Sequence, residues 1–140
     1  MRHMKMISKK SNDGYEVENS NKKFTFKCDE PVSAGGSGEY PRPTDYLLAA
    51  LGSCLNITAR SLAKRKGITI YDLKITIEAD VETHGILDSK IQNGMFNINI
   101  KFDLDSDLAI SKKERFLQEC LTACPVHQTL ENATNITWSY

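Results

Sequence analysis

The 140-residue chain has no apolar run approaching the about eighteen residues that a membrane-spanning helix needs. Its Met-Arg-His-Met-Lys-Met start also lacks the apolar core of a secretory signal. A cytoplasmic protein with no membrane partner is therefore expected. Net charge is lacking too. Eighteen Lys and Arg balance eighteen Asp and Glu, scattered rather than blocked, which argues against a nucleic-acid groove or an anionic surface as partner. The expected ligand is small or uncharged. The length suits one domain over 1–140, and His3-Met4 reads as a cloning remnant, so residues 1–3 are set aside. Cysteine is scarce, with four in all. In a reducing compartment such a set argues against a static disulfide framework and leaves catalysis, redox sensing, metal binding or plain burial.

Periodicity predicts the elements. Residues 1–30 read as a three-stranded meander with turns at Asn12-Asp13-Gly14 and Asn19-Ser20-Asn21, and with Phe24, Phe26 and Cys28 on one buried face. Pro31 to Pro43, rich in glycine and proline, follows as a flexible cover. It lacks the Gly-Lys-Ser/Thr of a phosphate-binding loop. From Asp45 to Lys66, Leu47, Leu48, Leu51, Leu55 and Leu62 recur at helical spacing after a Thr44 cap, and Gly67 supplies the stop. Two half-buried antiparallel strands are expected next, one alternating through Tyr71, Leu73, Ile75, Ile77, Ala79 and Val81. The other alternates through Phe96, Ile98, Ile100, Phe102 and Leu104. Their connection, Glu82 to Gly94, is either a mobile loop or a strand extension closed by Asn93-Gly94. Ser111 and Glu114 form a capping box for a helix whose face holds Leu117, Cys120, Leu121 and Cys124. Pro125 breaks that helix and starts another. Ile136, Trp138 and Tyr140 alternate in a closing strand. The expected class is α+β in the order βββ-α-ββ-αα-β, antiparallel sheet packed on a long central helix.

Each cysteine is weighed by its company. Cys28 shares a strand face with two phenylalanines and reads as core. Cys54 stands at the edge of the long helix's apolar face, among Ala49, Ala50, Gly52 and Ser53, whose small side chains let another element approach closely. Cys124 is expected at the N-cap of the restarted helix, where unpaired N–H groups and the dipole favour a thiolate and predict a depressed pKa. Cys120, Cys124 and His127 form a Cys-x3-Cys-x2-His run. Zinc is disfavoured there, because the helix break diverges the side chains and no second close pair exists; His127 is expected to pack or hydrogen-bond beside Cys124.

Pro43-Thr44-Asp45-Tyr46-Leu47-Leu48-Ala49-Ala50-Leu51-Gly52-Ser53-Cys54, with Cys124-Pro125-Val126-His127 farther on, resembles the OsmC/Ohr family of organic hydroperoxide reductases in residue type, spacing and element order. The resemblance covers nearly the whole chain, from about Met6 to Trp138. It implies a two-cysteine thiol peroxidase that needs no cofactor, with Cys54 attacking the peroxide and Cys124 resolving the product to a disulfide. An external dithiol, a lipoylated or thioredoxin-like protein, would then recycle the pair. It also implies an intertwined homodimer with active sites at the interface.

Where the hydroperoxide-specialised branch carries a glutamate after the loop proline, this chain has Thr44, and Asp45 is the nearest counterpart for activating Cys54. An acid in the first helical turn also stabilises a helix without any part in catalysis. No arginine stands at the family's N-terminal position; Lys10 is near it, and Arg42 precedes the helix. The competing reading is a non-peroxidatic redox sensor or small-ligand-binding protein on the same fold.

Overall fold

Alternation and helical spacing translate into eight main elements in a computed structural model that describes residues 1–140. In chain order these are β1 (Ile7–Lys10), β2 (Val17–Ser20), β3 (Thr25–Cys28), α1 (Pro43–Lys66), β4 (Ile70–Glu82), β5 (Gly94–Ser106), α2 (Ile110–Ala123) and α3 (Pro125–Glu131). The class is α+β, with antiparallel sheets and three helices. The chain forms two compact units, Met1–Leu47 and Leu48–Tyr140.

In the first unit β1, β2 and β3 pair as an antiparallel meander. The first turn forms as expected, with Asn12 Oδ1 accepting from the Gly14 N–H at 2.9 Å. The second lies farther on than expected. Asn19 and Ser20 remain in β2, and the Asn21 side chain accepts from the Lys23 and Phe24 N–H groups, each at 2.9 Å. Asn21 can satisfy two amides at once as an Asx turn, whereas Asn19 is required inside, where its Nδ2 donates to Cys28 Sγ at 3.4 Å.

Of the expected apolar face, Cys28 is buried and Phe26 half-buried against Tyr46, ring centroids 5.0 Å apart, but Phe24 is exposed just before the strand. Burial pushes the Cys28 thiol pKa up, consistent with a core residue. The glycine-rich loop is tied rather than free. Buried Asp29 accepts from the Ser37 hydroxyl, from the Ser37 N–H at 3.1 Å and from the Glu30 N–H at 2.8 Å. The Ser37 hydroxyl bond, above all, holds the Asp29 carboxyl below its usual range.

The core of the second unit lies between α1, α2 and one face of β4–β5. The buried stripe of α1 is Leu51, Leu55, Ala59 and Ala63, every fourth residue. The leucine pattern located the first half of this stripe; the alanines complete it, and Leu62 lies at its flank. Gly52 answers the expectation of a close approach, since a Cβ there would lie 3.3 Å from Ile77 Cδ1. Gly67, at φ +67°, ends the helix as expected. The Ile68 N–H bonds Ala63 O at 2.9 Å and the Gly67 N–H bonds Lys64 O at 3.5 Å, a Schellman closure.

β4 and β5 pair antiparallel with Leu73 opposite Leu104, Ile75 opposite Phe102 and Ile77 opposite Ile100. A loop with a 3-10 turn at His84–Ile86 connects them. The Asn93 side chain closes that loop, accepting from the Gly85 N–H at 2.7 Å. The capping box does not form. α2 begins at Ile110, so Ser111 already lies within the first turn, and Ala109 occupies the cap without a side-chain bond. Phe116, absent from the expected face, is buried with Cys120.

The closing strand is also not formed. Residues 133–140 carry no regular structure, and Ile136, Trp138 and Tyr140 are exposed. A strand needs the N–H and C=O ladder of a neighbour, and no edge of this chain pairs with the tail.

Candidate active site

Cys54 lies on α1, one position before Leu55 and three after Leu51. Cys124 sits at the break between α2 and α3, with φ −80° and ψ 113°. Its extended geometry follows from Pro125, which disfavours α conformation in the residue before it and opens α3 at the first helical position. This turn carries the Cys124 side chain inward. Leu51, Leu55 and Cys124 form one buried cluster, and Cys54 packs against it with Ile75, Ile77, Ile98, Ile100, Phe102, Leu121 and Val126. The two cysteines, seventy positions apart in sequence (124 − 54), thus share one apolar cluster.

Their environments differ. Cys124 is 0% exposed, whereas Cys54 is only half-buried. The predicted N-cap position of Cys124 is correct, since the His127 N–H donates to its Sγ at 3.5 Å. The predicted depression of its pKa is not. Burial pushes the Cys124 thiol up; the His127 N–H works against this, and the hydrogen bond and charge of the Cys54 sulfur add to the rise. One long N–H bond on a helix of seven residues does not replace the water removed from the sulfur. Burial therefore favours the protonated thiol at Cys124, and Cys54 packs against the cluster that encloses it.

Asp45 has a specific local role. It is the third residue of α1, and its Oδ2 accepts from the Arg42 N–H at 2.9 Å, with Arg42 Nε at 3.7 Å. A third-position acid reaching back to the cap residue's N–H is half of a capping box. The helix thus starts at Pro43 with Arg42 at the cap, two residues earlier than the Thr44 cap expected. Lys10 is paired with Asp13 at 2.9 Å.

Cys120 stands apart from the pair. It belongs to the cluster of Ala59, Ala63 and Phe116, and its thiol is pushed up to about 11, chiefly by burial. The Cys120, Cys124 and His127 run is divided in this way, and no group of three or more His, Cys, Asp or Glu is placed to hold a metal ion. His127 directs its ring away, to Gln128 Nε2 at 3.4 Å and Glu131 at 3.4 Å. An open groove of about 580 Å³ runs along α1 between Leu48 and Arg60. Neither cysteine lines it, so the chemistry is not placed there. Sequence reasoning passed over Gln128, whose side chain donates to Leu121 O at 3.3 Å across the helix break. Only its helical offset from the break could have indicated it. No helix is long and apolar enough to cross a membrane.

Comparisons with known proteins agree with this fold. Among solved structures, the chain is similar to an OsmC-like protein from Mycoplasma pneumoniae, with TM-score 0.79 and 21% identity over 93% of this chain and 88% of that one. It is similar to an organic hydroperoxide resistance protein OsmC from Legionella pneumophila, with TM-score 0.65 and 17% identity over 93% and 91% of the two chains. A third similar structure, from Elizabethkingia anophelis, is an organic hydroperoxide resistance protein with bound thiocyanate, at TM-score 0.62 and 15% identity over 91% and 87%. No curated protein sequence matches the chain. The profile of the OsmC-like protein family matches residues 36–139, a span that contains Cys54 and Cys124, and the chain belongs to that family.

Proposed function

We propose that the protein is a thiol-dependent peroxidase in which Cys54 attacks and Cys124 resolves. The observation that carries this reading is the packing of a half-buried cysteine, Cys54, against a fully buried one, Cys124, in one apolar cluster. Cys54 is the less buried of the two, which suits it to meet the incoming peroxide, and Cys124, 0% exposed, suits the resolving role. The Cys54 thiolate attacks one peroxide oxygen, the O–O bond breaks, and the leaving alkoxide or hydroxide takes a proton to depart as alcohol or water. Cys54 is then a sulfenic acid. The Cys124 sulfur, after losing its proton, attacks the Cys54 sulfur, forming the disulfide and releasing water. An external dithiol restores both thiols and leaves as its own disulfide. The apolar side chains packed around Cys54 suit an alkyl hydroperoxide better than hydrogen peroxide alone.

A homodimer accompanies this reading. All of β1 is exposed, β4 and β5 form only a two-stranded sheet, and the alternating tail apolars lack a ladder. A second copy would supply what each surface lacks. Native mass measurement at micromolar concentration should give twice 15.7 kDa, and a monomer would remove the dimer from the proposal.

The deciding experiment is peptide mapping after a brief pulse of alkyl hydroperoxide. A Cys54–Cys124 disulfide with Cys28 and Cys120 free is expected, together with consumption of many equivalents of peroxide when a dithiol is supplied. Oxidation that stops at one equivalent would favour the sensor reading. A Cys120–Cys124 bridge would overturn the pairing.

A further inference from the structure

The sequence leaves Cys124 at a hinge. α2 ends at Ala123, Pro125 offers no N–H, and the direction in which α3 leaves the break decides where the Cys124 sulfur points. The backbone gives this hinge limited support, with the Cys124 N–H to Leu121 O at 3.4 Å and the Gln128 N–H to Cys124 O at 3.0 Å. The Gln128 side chain adds the only side-chain hydrogen bond from α3 to α2: its Nε2 reaches seven residues back to Leu121 O at 3.3 Å. The same nitrogen meets His127 Nδ1 at 3.4 Å, and Oε1 accepts from Asn132 Nδ2 at 3.5 Å. In the tautomer with its proton on Nε2, His127 accepts from Gln128 and donates to Glu131, so both amide protons of Gln128 are used. His127 is also the residue whose backbone N–H holds the Cys124 sulfur.

We infer that Gln128 is a positioning residue for Cys124, stitching α3 to α2 so that the Cys124 sulfur stays aimed at Cys54. The role rests on the reading of Cys54 and Cys124 as a reacting pair. Disulfide closure tolerates little displacement, because the sulfurs must reach bonding distance with a fixed dihedral preference. A small swing of α3 therefore slows closure while leaving the Cys54 thiol untouched, since α1 carries that residue.

The test uses Gln128→Met, which keeps the length and removes the donor, and Gln128→Lys, which returns an N–H donor to Leu121 O. Two rates are measured on each protein: alkylation of Cys54 by iodoacetamide, and closure of the Cys54–Cys124 disulfide by the thiol oxidant diamide. Gln128→Met should slow closure roughly tenfold with alkylation within about twofold of the parent, and Gln128→Lys should recover most of the closure rate. Unchanged closure in Gln128→Met, equal changes in both rates, or no recovery with lysine would each overturn the inference, as would a parent protein that diamide fails to close. Because diamide replaces the peroxide, a parent that closes with diamide and consumes no hydroperoxide removes the peroxidase reading and leaves the positioning role standing.

Discussion

In Cys54→Ser, hydroperoxide consumption with a dithiol reductant should fall roughly a thousandfold or more, to the rate of the reductant alone. A serine hydroxyl is not ionised near neutral pH and does not accept oxygen from a peroxide, so the first step has no substitute at that position. The remaining cysteines are poorly placed to take over. Cys124 is 0% exposed with its thiol pushed up by burial, and Cys120 is buried with its thiol pushed up to about 11. Stopped-flow loss of peroxide provides the measurement, and thermal melting shows that the variant folds. Cys54→Ala serves as a second variant in case the serine hydroxyl disturbs the apolar cluster. Asp45→Ala is the contrasting control. It removes the bond to the Arg42 N–H and should cost about 1 kcal/mol of stability, with turnover reduced by much less than in Cys54→Ser. Undiminished turnover in Cys54→Ser would end the assignment of attack to that residue.

Much of this site was legible because each part announced itself locally. The strands β4 and β5 alternate over thirteen residues each, long enough for a period of two to stand out, and Gly67 marks the end of α1 by the conformation it alone adopts easily. Cys124 was placed at the cap by its proline. What sequence could not decide was the balance of opposing effects at that cap. Helix-end N–H groups favour a thiolate and desolvation opposes it, and the winner depends on burial by Leu51 and Leu55, which lie far away in the chain.

Ser111 failed for a related reason. The capping motif is present, but the helix starts at Ile110 with Ala109 at the cap, and tertiary context moved the boundary by two residues. The tail shows the converse. Its alternation is real, yet an alternating segment becomes a strand only when it pairs with an edge, and within the single chain the tail pairs with none. Gln128 has no motif because its bond is defined only after the helix has broken.

Cys124→Ser separates the two halves of the proposed cycle. Attack at Cys54 should proceed at near the parent rate for the first equivalent of peroxide, because α1 and the approach to Cys54 are unchanged. Closure then has no partner sulfur, and the sulfenic acid persists, open to dimedone and to a second peroxide. Mass spectrometry should find dimedone on Cys54 after a single equivalent. With excess peroxide and no trap, Cys54 should carry two oxygens, and activity should be lost within a few turnovers. Cys120 is the nearest alternative in sequence, but a thiol at about 11 is ionised to only about one part in ten thousand at pH 7. The serine fits the site with little disturbance, since its hydroxyl can still accept from the His127 N–H, and the buried polar atom should cost about 1–2 kcal/mol. Sustained turnover of Cys124→Ser at the parent rate, with Cys54 unmodified, would show that the external dithiol resolves the sulfenic acid directly and that the buried thiol has no part in the cycle.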